Sequence, residues 1–160
     1  MISAVDLLKG IAVGAGMTNI DVEGANGTLE TNYEGKAYAA IKALTEDEYD
    51  FAYIHVEAPD EMGHQGSIER KIKAIENLDQ KVIKPLVVEL GKRGIEYRML
   101  IMPDHPTPIR LRTHTSNPVP YMIYDVTNKV LSGLKYTEDE ASKSDNYVEN
   151  GYTTIDKLIN

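Results

Sequence analysis

The sequence predicts an α/β fold, a mostly parallel sheet flanked by helices. Two observations carry that prediction. Three short apolar runs read as buried strands: Asp50–Val56 (DFAYIHV), Arg98–Met102 (RMLIM) and Val119–Tyr124 (VPYMIY). Around them lie longer segments whose apolar residues recur every three or four positions, the spacing of a helix with one buried face.

Taken in order, Met1–Gly16 carries Ile2, Val5, Leu8, Ile11, Ala12 and Ala15 at helical spacing and ends in glycine. Met17–Val22 is a short extended candidate, followed by the turn-rich EGANGTLETN. Glu34–Leu44 has high helix propensity. Asp50–Val56 is stopped by Pro59. From Ser67 to Leu90, Ile68, Ile72, Ile75, Leu78, Val82, Leu86 and Leu90 mark the clearest amphipathic helix, with Ser67 as N-cap and Gly91 and Gly94 closing it. Arg98–Met102 ends at PDHPTP, and Val119–Tyr124 is the last strand. Thr137–Asn146 reads as an acidic loop or short solvated helix, and Gly151–Ile159 as a small closing helix. No repeat, low-complexity tract or linker interrupts residues 1–160, so one domain is expected.

Composition narrows the chemistry. A chain of 160 residues with 42% hydrophobic content can bury a core. Its formal charge of −8, without a long Lys/Arg cluster, argues against nucleic acid and anionic membranes as partners. With no cysteine, disulfides and thiolate metal sites are excluded, so any metal must be held by oxygen and imidazole. No basic, apolar leader and no apolar run of spanning length is present, and a cytoplasmic location is the expectation.

Functional groups of an open α/β sheet gather at the carboxyl ends of its strands. EAPDEMGH and PDHPTP both follow predicted strands. Asp60 and His64 stand at i and i+4, so a helical turn would let a carboxylate and an imidazole share one cation. Asp104 and His105 are neighbours, which converge only if the backbone turns, and Pro103, Pro106 and Pro108 favour a turn. His114 follows in RTHTSNPVP. Each signal is weak singly. Their gathering at one sheet edge is the stronger argument, and five ligands without sulfur suit Zn²⁺, Mn²⁺ or Mg²⁺, histidine arguing against Mg²⁺ alone. Five ligands also exceed what one catalytic zinc takes from protein, so a pair of metals is expected.

Other residues admit two readings. His55, inside a predicted strand, is first a hydrogen-bonded histidine of the fold and second a group orienting a nearby carboxylate. Lys36 either reaches an anionic ligand such as phosphate or is solvated. Arg110 and Arg112 either add positive charge beside the metals, with Arg112 a candidate substrate- or phosphate-binding residue, or balance acidic neighbours. The Glu23–Thr28 turn (EGANGT) is poor evidence for a phosphate site by itself.

Read together, SAVDLLKGIAVGAGM, TLETNYEGKAYAAIKAL, DFAYIHVEAPDEMGH, KIKAIENLDQKVIKPL, MPDHPTPIRLRTHTSNPVPYMIYD and NYVENGY resemble the archaeal-type cofactor-independent phosphoglycerate mutases of the alkaline phosphatase superfamily. The resemblance implies the C-terminal part of an alkaline phosphatase-like catalytic domain. It implies two divalent ions, Mn²⁺ or Zn²⁺ with Mg²⁺ a further option, one held by Asp60, His64 and His114 and the other by Asp104, His105 and residues outside these motifs. In the family an upstream serine takes the phosphoryl group of 3-phosphoglycerate and returns it to give 2-phosphoglycerate. No serine of this chain occupies that context, so the chain alone is expected to be inactive. A sheet lacking strands would present an unpaired edge, and self-association is expected. Asn26 stands where the family tends to carry threonine. The alternatives are another metal-dependent phosphatase or phosphotransferase of the superfamily, including a homoserine kinase-like role, and a non-catalytic metal-binding module.

Overall fold

A computed structural model describes residues Met1–Ile159. The chain divides into two units, one of Met1–Gly94 with Thr107–Thr113, the other of Ile95–Pro106 with the described residues from His114 onward.

In the first unit, helix α1 spans Asp6–Gly14 and α2 spans Tyr33–Thr45. The Asn32 side chain caps α2 by accepting from the Gly35 N–H at 2.8 Å. A short α3, Ala58–His64, tolerates Pro59 in its first turn, where a missing N–H costs nothing. The long helix expected from Ser67 forms as α4 (Ile68–Leu78), a π-helical turn (Asp79–Ile83) and α5 (Lys84–Lys92). Ser67 caps it through the Arg70 N–H. The π turn lies directly ahead of Pro85, which cannot donate to the preceding turn and whose ring crowds the carbonyl there, so local widening is the expected relief.

The unit's core joins Ala37, Ala40 and Ile41 of α2 with Met62, Ala74, Val82, Leu86 and Leu90. Alanines on α2 allow close approach to α5 and the π turn, while α3 packs on α4. The apolar stripe of the long helix is only partly buried, since Ile68, Ile72 and Ile75 stay more than half exposed and Ala74 takes the inward position.

In the second unit, β1 (Arg98–Ile101) pairs antiparallel with β2 (Met122–Asp125), Arg98 opposite Asp125. The Arg98 guanidinium donates to Asp125 at 2.8 Å, and the Tyr136 hydroxyl donates to the carbonyls of Ile101 and Pro120. Short helices α6 (Glu138–Ala141) and α7 (Thr154–Ile159) follow, α7 packing against β1.

The sheet corrects the expectation. Among the described residues the one ladder is antiparallel and two-stranded. The expected strands Met17–Val22 and Asp50–Val56 do not form, and Asp50–Val56 meets the chain in one parallel bridge, Ile2 with Ile54. Ile2 donates to Tyr53 and accepts from His55, while Met1 makes the equivalent pair of bonds with Thr18 and Ile20. The ladder cannot lengthen beyond Ile2, because Ser3 turns the chain, its hydroxyl accepting the Val5 N–H at 3.0 Å ahead of α1. The last strand begins at Met122 rather than Val119, since Pro120 has no N–H to contribute. No helix among the described residues is long and apolar enough to cross a membrane.

Candidate metal centre

In the first unit, α3 turns Asp60 and His64 onto one face, with His64 Nε2 3.3 Å from Asp60 Oδ2. His64 Nδ1 lies 3.0 Å from the Arg112 carbonyl oxygen. A carbonyl only accepts, so Nδ1 carries a proton there, and the contact turns Nε2 towards the Asp60 carboxylate. A carboxylate oxygen and an imidazole nitrogen placed side by side are a donor pair that fits a divalent metal. Around the other carboxylate oxygen, the Thr107 hydroxyl donates to Asp60 Oδ1. Lys71 Nζ donates to the Thr107 carbonyl at 2.6 Å. Gly63 is required at this crossing, because a Cβ there would lie 2.6 Å from that carbonyl oxygen.

Beneath α3 is a buried ionic cluster. Lys36 is fully buried, and its ammonium donates to Glu57 Oε2 and to the His55 carbonyl, each at 2.8 Å. His55 Nδ1 is 3.3 Å from both Ser3 Oγ and Glu57 Oε1, and the Ala4 N–H donates to the same carboxylate oxygen at 3.1 Å. Burial pushes the Glu57 carboxyl up, but the His55 and Lys36 hydrogen bonds and the Lys36 charge outweigh it and hold the group down at about 2. Glu57 immediately precedes α3, so this cluster fixes where the helix carrying Asp60 and His64 starts.

In the second unit the backbone bends at Asp104–His105. Asp104 Oδ1 accepts the His105 N–H at 3.0 Å, and His105 Nε2 is 3.5 Å from Asp104 Oδ2. The His105 and His114 rings lie 3.7 Å apart, centroid to centroid, at 32°. The Thr115 N–H donates to the Pro106 carbonyl at 3.0 Å and holds the two histidine segments side by side.

Residues 1–150 match the family model of the Metalloenzyme superfamily. The chain belongs to the metalloenzyme superfamily. This metalloenzyme-superfamily chain is 46% identical over 160 residues to the "Probable 2,3-bisphosphoglycerate-independent phosphoglycerate mutase" of Geobacter sulfurreducens, a match covering 99% of the chain and 39% of that relative. It is 53% identical over 123 residues to the 2,3-bisphosphoglycerate-independent phosphoglycerate mutase of Methanothrix thermoacetophila, covering 77% of the chain and 31% of the relative. The chain thus spans little more than a third of the first relative's length. Among solved structures, the PH0037 protein of Pyrococcus horikoshii is similar, with a TM-score of 0.79 and 30% identity over 89% of this chain and 42% of that one.

Within this superfamily member, the residues singled out in the sequence fall into two groups. Asp60 and His64 come together in the first unit, and Asp104, His105 and His114 in the second. His55 takes the hydrogen-bonded role within the fold. The Lys36 ammonium faces inward, paired with the Glu57 carboxylate. Arg112 is exposed and adopts a left-handed φ of 55°, and it is its carbonyl that addresses His64. The Asn26 side chain accepts from the Thr28 N–H and hydroxyl, closing its own turn. Sequence reading passed over Thr107, Lys71 and Glu57. The threonine of PDHPTP was the one visible signal, lying beside two candidate ligands.

Proposed function

We propose that the chain is the metal-holding portion of a 2,3-bisphosphoglycerate-independent phosphoglycerate mutase, interconverting 3- and 2-phosphoglycerate as part of a longer enzyme. Asp60 and His64 contribute to one divalent cation, and Asp104 and His105 to a second, Mn²⁺ and Zn²⁺ being the ions this donor set suits best. The observation that carries this reading is the Asp60–His64 pair with its imidazole oriented by a backbone carbonyl. The names of the relatives supply the substrate class. Bound metal would neutralise negative charge on a transferring phosphoryl group and lower the pKa of the nucleophile. This chain's own part is to hold the imidazoles and carboxylates in place, while the phosphoryl-accepting serine that the resemblance implies would come from elsewhere in the longer enzyme.

A coupled assay for 2-phosphoglycerate formation tests the division of labour. The 160 residues alone are expected to show no turnover with Mn²⁺ or Zn²⁺, and a longer chain restoring the upstream segment is expected to be active. Robust turnover by the 160 residues alone contradicts the assignment.

A further inference from the structure

A carboxylate that binds a cation through one oxygen must be kept from rotating, because a half-turn about its last bond exchanges the two oxygens. In α3 the Asp60 oxygens have different surroundings. Oδ2 faces His64 Nε2 at 3.3 Å, and Oδ1 receives the Thr107 hydroxyl. Thr107 is itself held from two sides. It is 4% exposed, its carbonyl accepts from Lys71 of α4 at 2.6 Å, and the Gly63 backbone approaches so closely that a Cβ would meet that carbonyl at 2.6 Å and Lys71 Nζ at 2.9 Å. Asp60, Gly63, Lys71 and Thr107 all belong to the first unit.

We propose that Thr107 is a positioning residue, its hydroxyl locking the Asp60 carboxylate so that Oδ2 is presented to a divalent cation, with Lys71 anchoring the threonine. The inference rests on the metal reading above and deepens it. Groups that orient a metal ligand alter affinity by about 10- to 100-fold when removed. A threonine that merely fills space would not.

The discriminating pair of variants is Thr107→Val, which keeps the volume and loses the hydroxyl, and Thr107→Ser, which keeps the hydroxyl. Mn²⁺ is titrated calorimetrically into each, in the 160-residue chain, and melting is followed in chelator. Thr107→Val is expected to weaken Mn²⁺ binding by about tenfold or more at temperatures where it is folded, and Thr107→Ser to restore it to within about threefold. A folded Thr107→Val variant that binds Mn²⁺ as tightly as the parent overturns the positioning role, whatever its melting temperature, and so does a serine variant as weak as the valine one. If Thr107→Val does not fold, Lys71→Met decides in its place. It keeps the hydroxyl and releases its anchor, so weakened Mn²⁺ binding supports the role and unchanged binding overturns it. No Mn²⁺ uptake by the parent chain would remove the metal reading itself and the inference with it, an outcome distinct from equal uptake by parent and variant.

Discussion

Lys36→Met is expected to destabilise the first unit by about 3–5 kcal/mol, read as a lower urea midpoint at neutral pH. The loss exceeds the worth of one hydrogen bond because it strands the Glu57 carboxylate, 7% exposed, without its counter-charge. A folding free energy of about 5–15 kcal/mol leaves little margin for that. The double variant Lys36→Met/Glu57→Gln is expected to recover part of the loss, since glutamine carries no charge and still offers an oxygen to the Ala4 N–H. Equal stability of Lys36→Met and the parent would show that the buried pair does not hold α2 to the start of α3.

The same carboxylate makes stability depend on acid. Glu57 sits at about 2 in the folded chain against an ordinary 4.5, a depressed value. Between those limits the unfolded chain binds the proton more readily, so stability rises with pH there. The contribution, on the order of 3 kcal/mol, is complete above about pH 4.5 and disappears as the pH falls towards 2. Asp125 is also held below the usual range, by the Thr127 hydroxyl and Arg98, so Glu57→Gln is the control that isolates the effect. Urea midpoints measured from pH 6 to pH 2 should drop less steeply in Glu57→Gln than in the parent. Parallel curves would contradict the pairing.

Helices were legible because their signals are local. Ser67 and the three-four spacing after it mark α4, and the alanine-rich run marks α2. The Asp60–His64 pair was legible for the same reason, i and i+4 being a property of a single turn of helix. Sheet order was not, because pairing depends on which distant segment arrives alongside. DFAYIHV has the composition of a strand but meets Ile2 in one bridge only. Lys36 illustrates the same limit, since nothing within α2 announces that Glu57, twenty-one residues on, will neutralise it. Thr107 and the Arg112 carbonyl were hidden for a related reason. Both act on α3 across more than forty residues, one through a hydroxyl and the other through a backbone atom that any residue supplies.

Calorimetric titration of Mn²⁺ and Zn²⁺ into the 160-residue chain, its Asp60→Ala variant and its His105→Ala variant is the most direct measurement. Saturable binding by the parent, with one class of site lost in Asp60→Ala and another in His105→Ala, is the expected result. A parent chain that takes up neither ion, or variants that bind as the parent does, would contradict a metal-holding role for these residues.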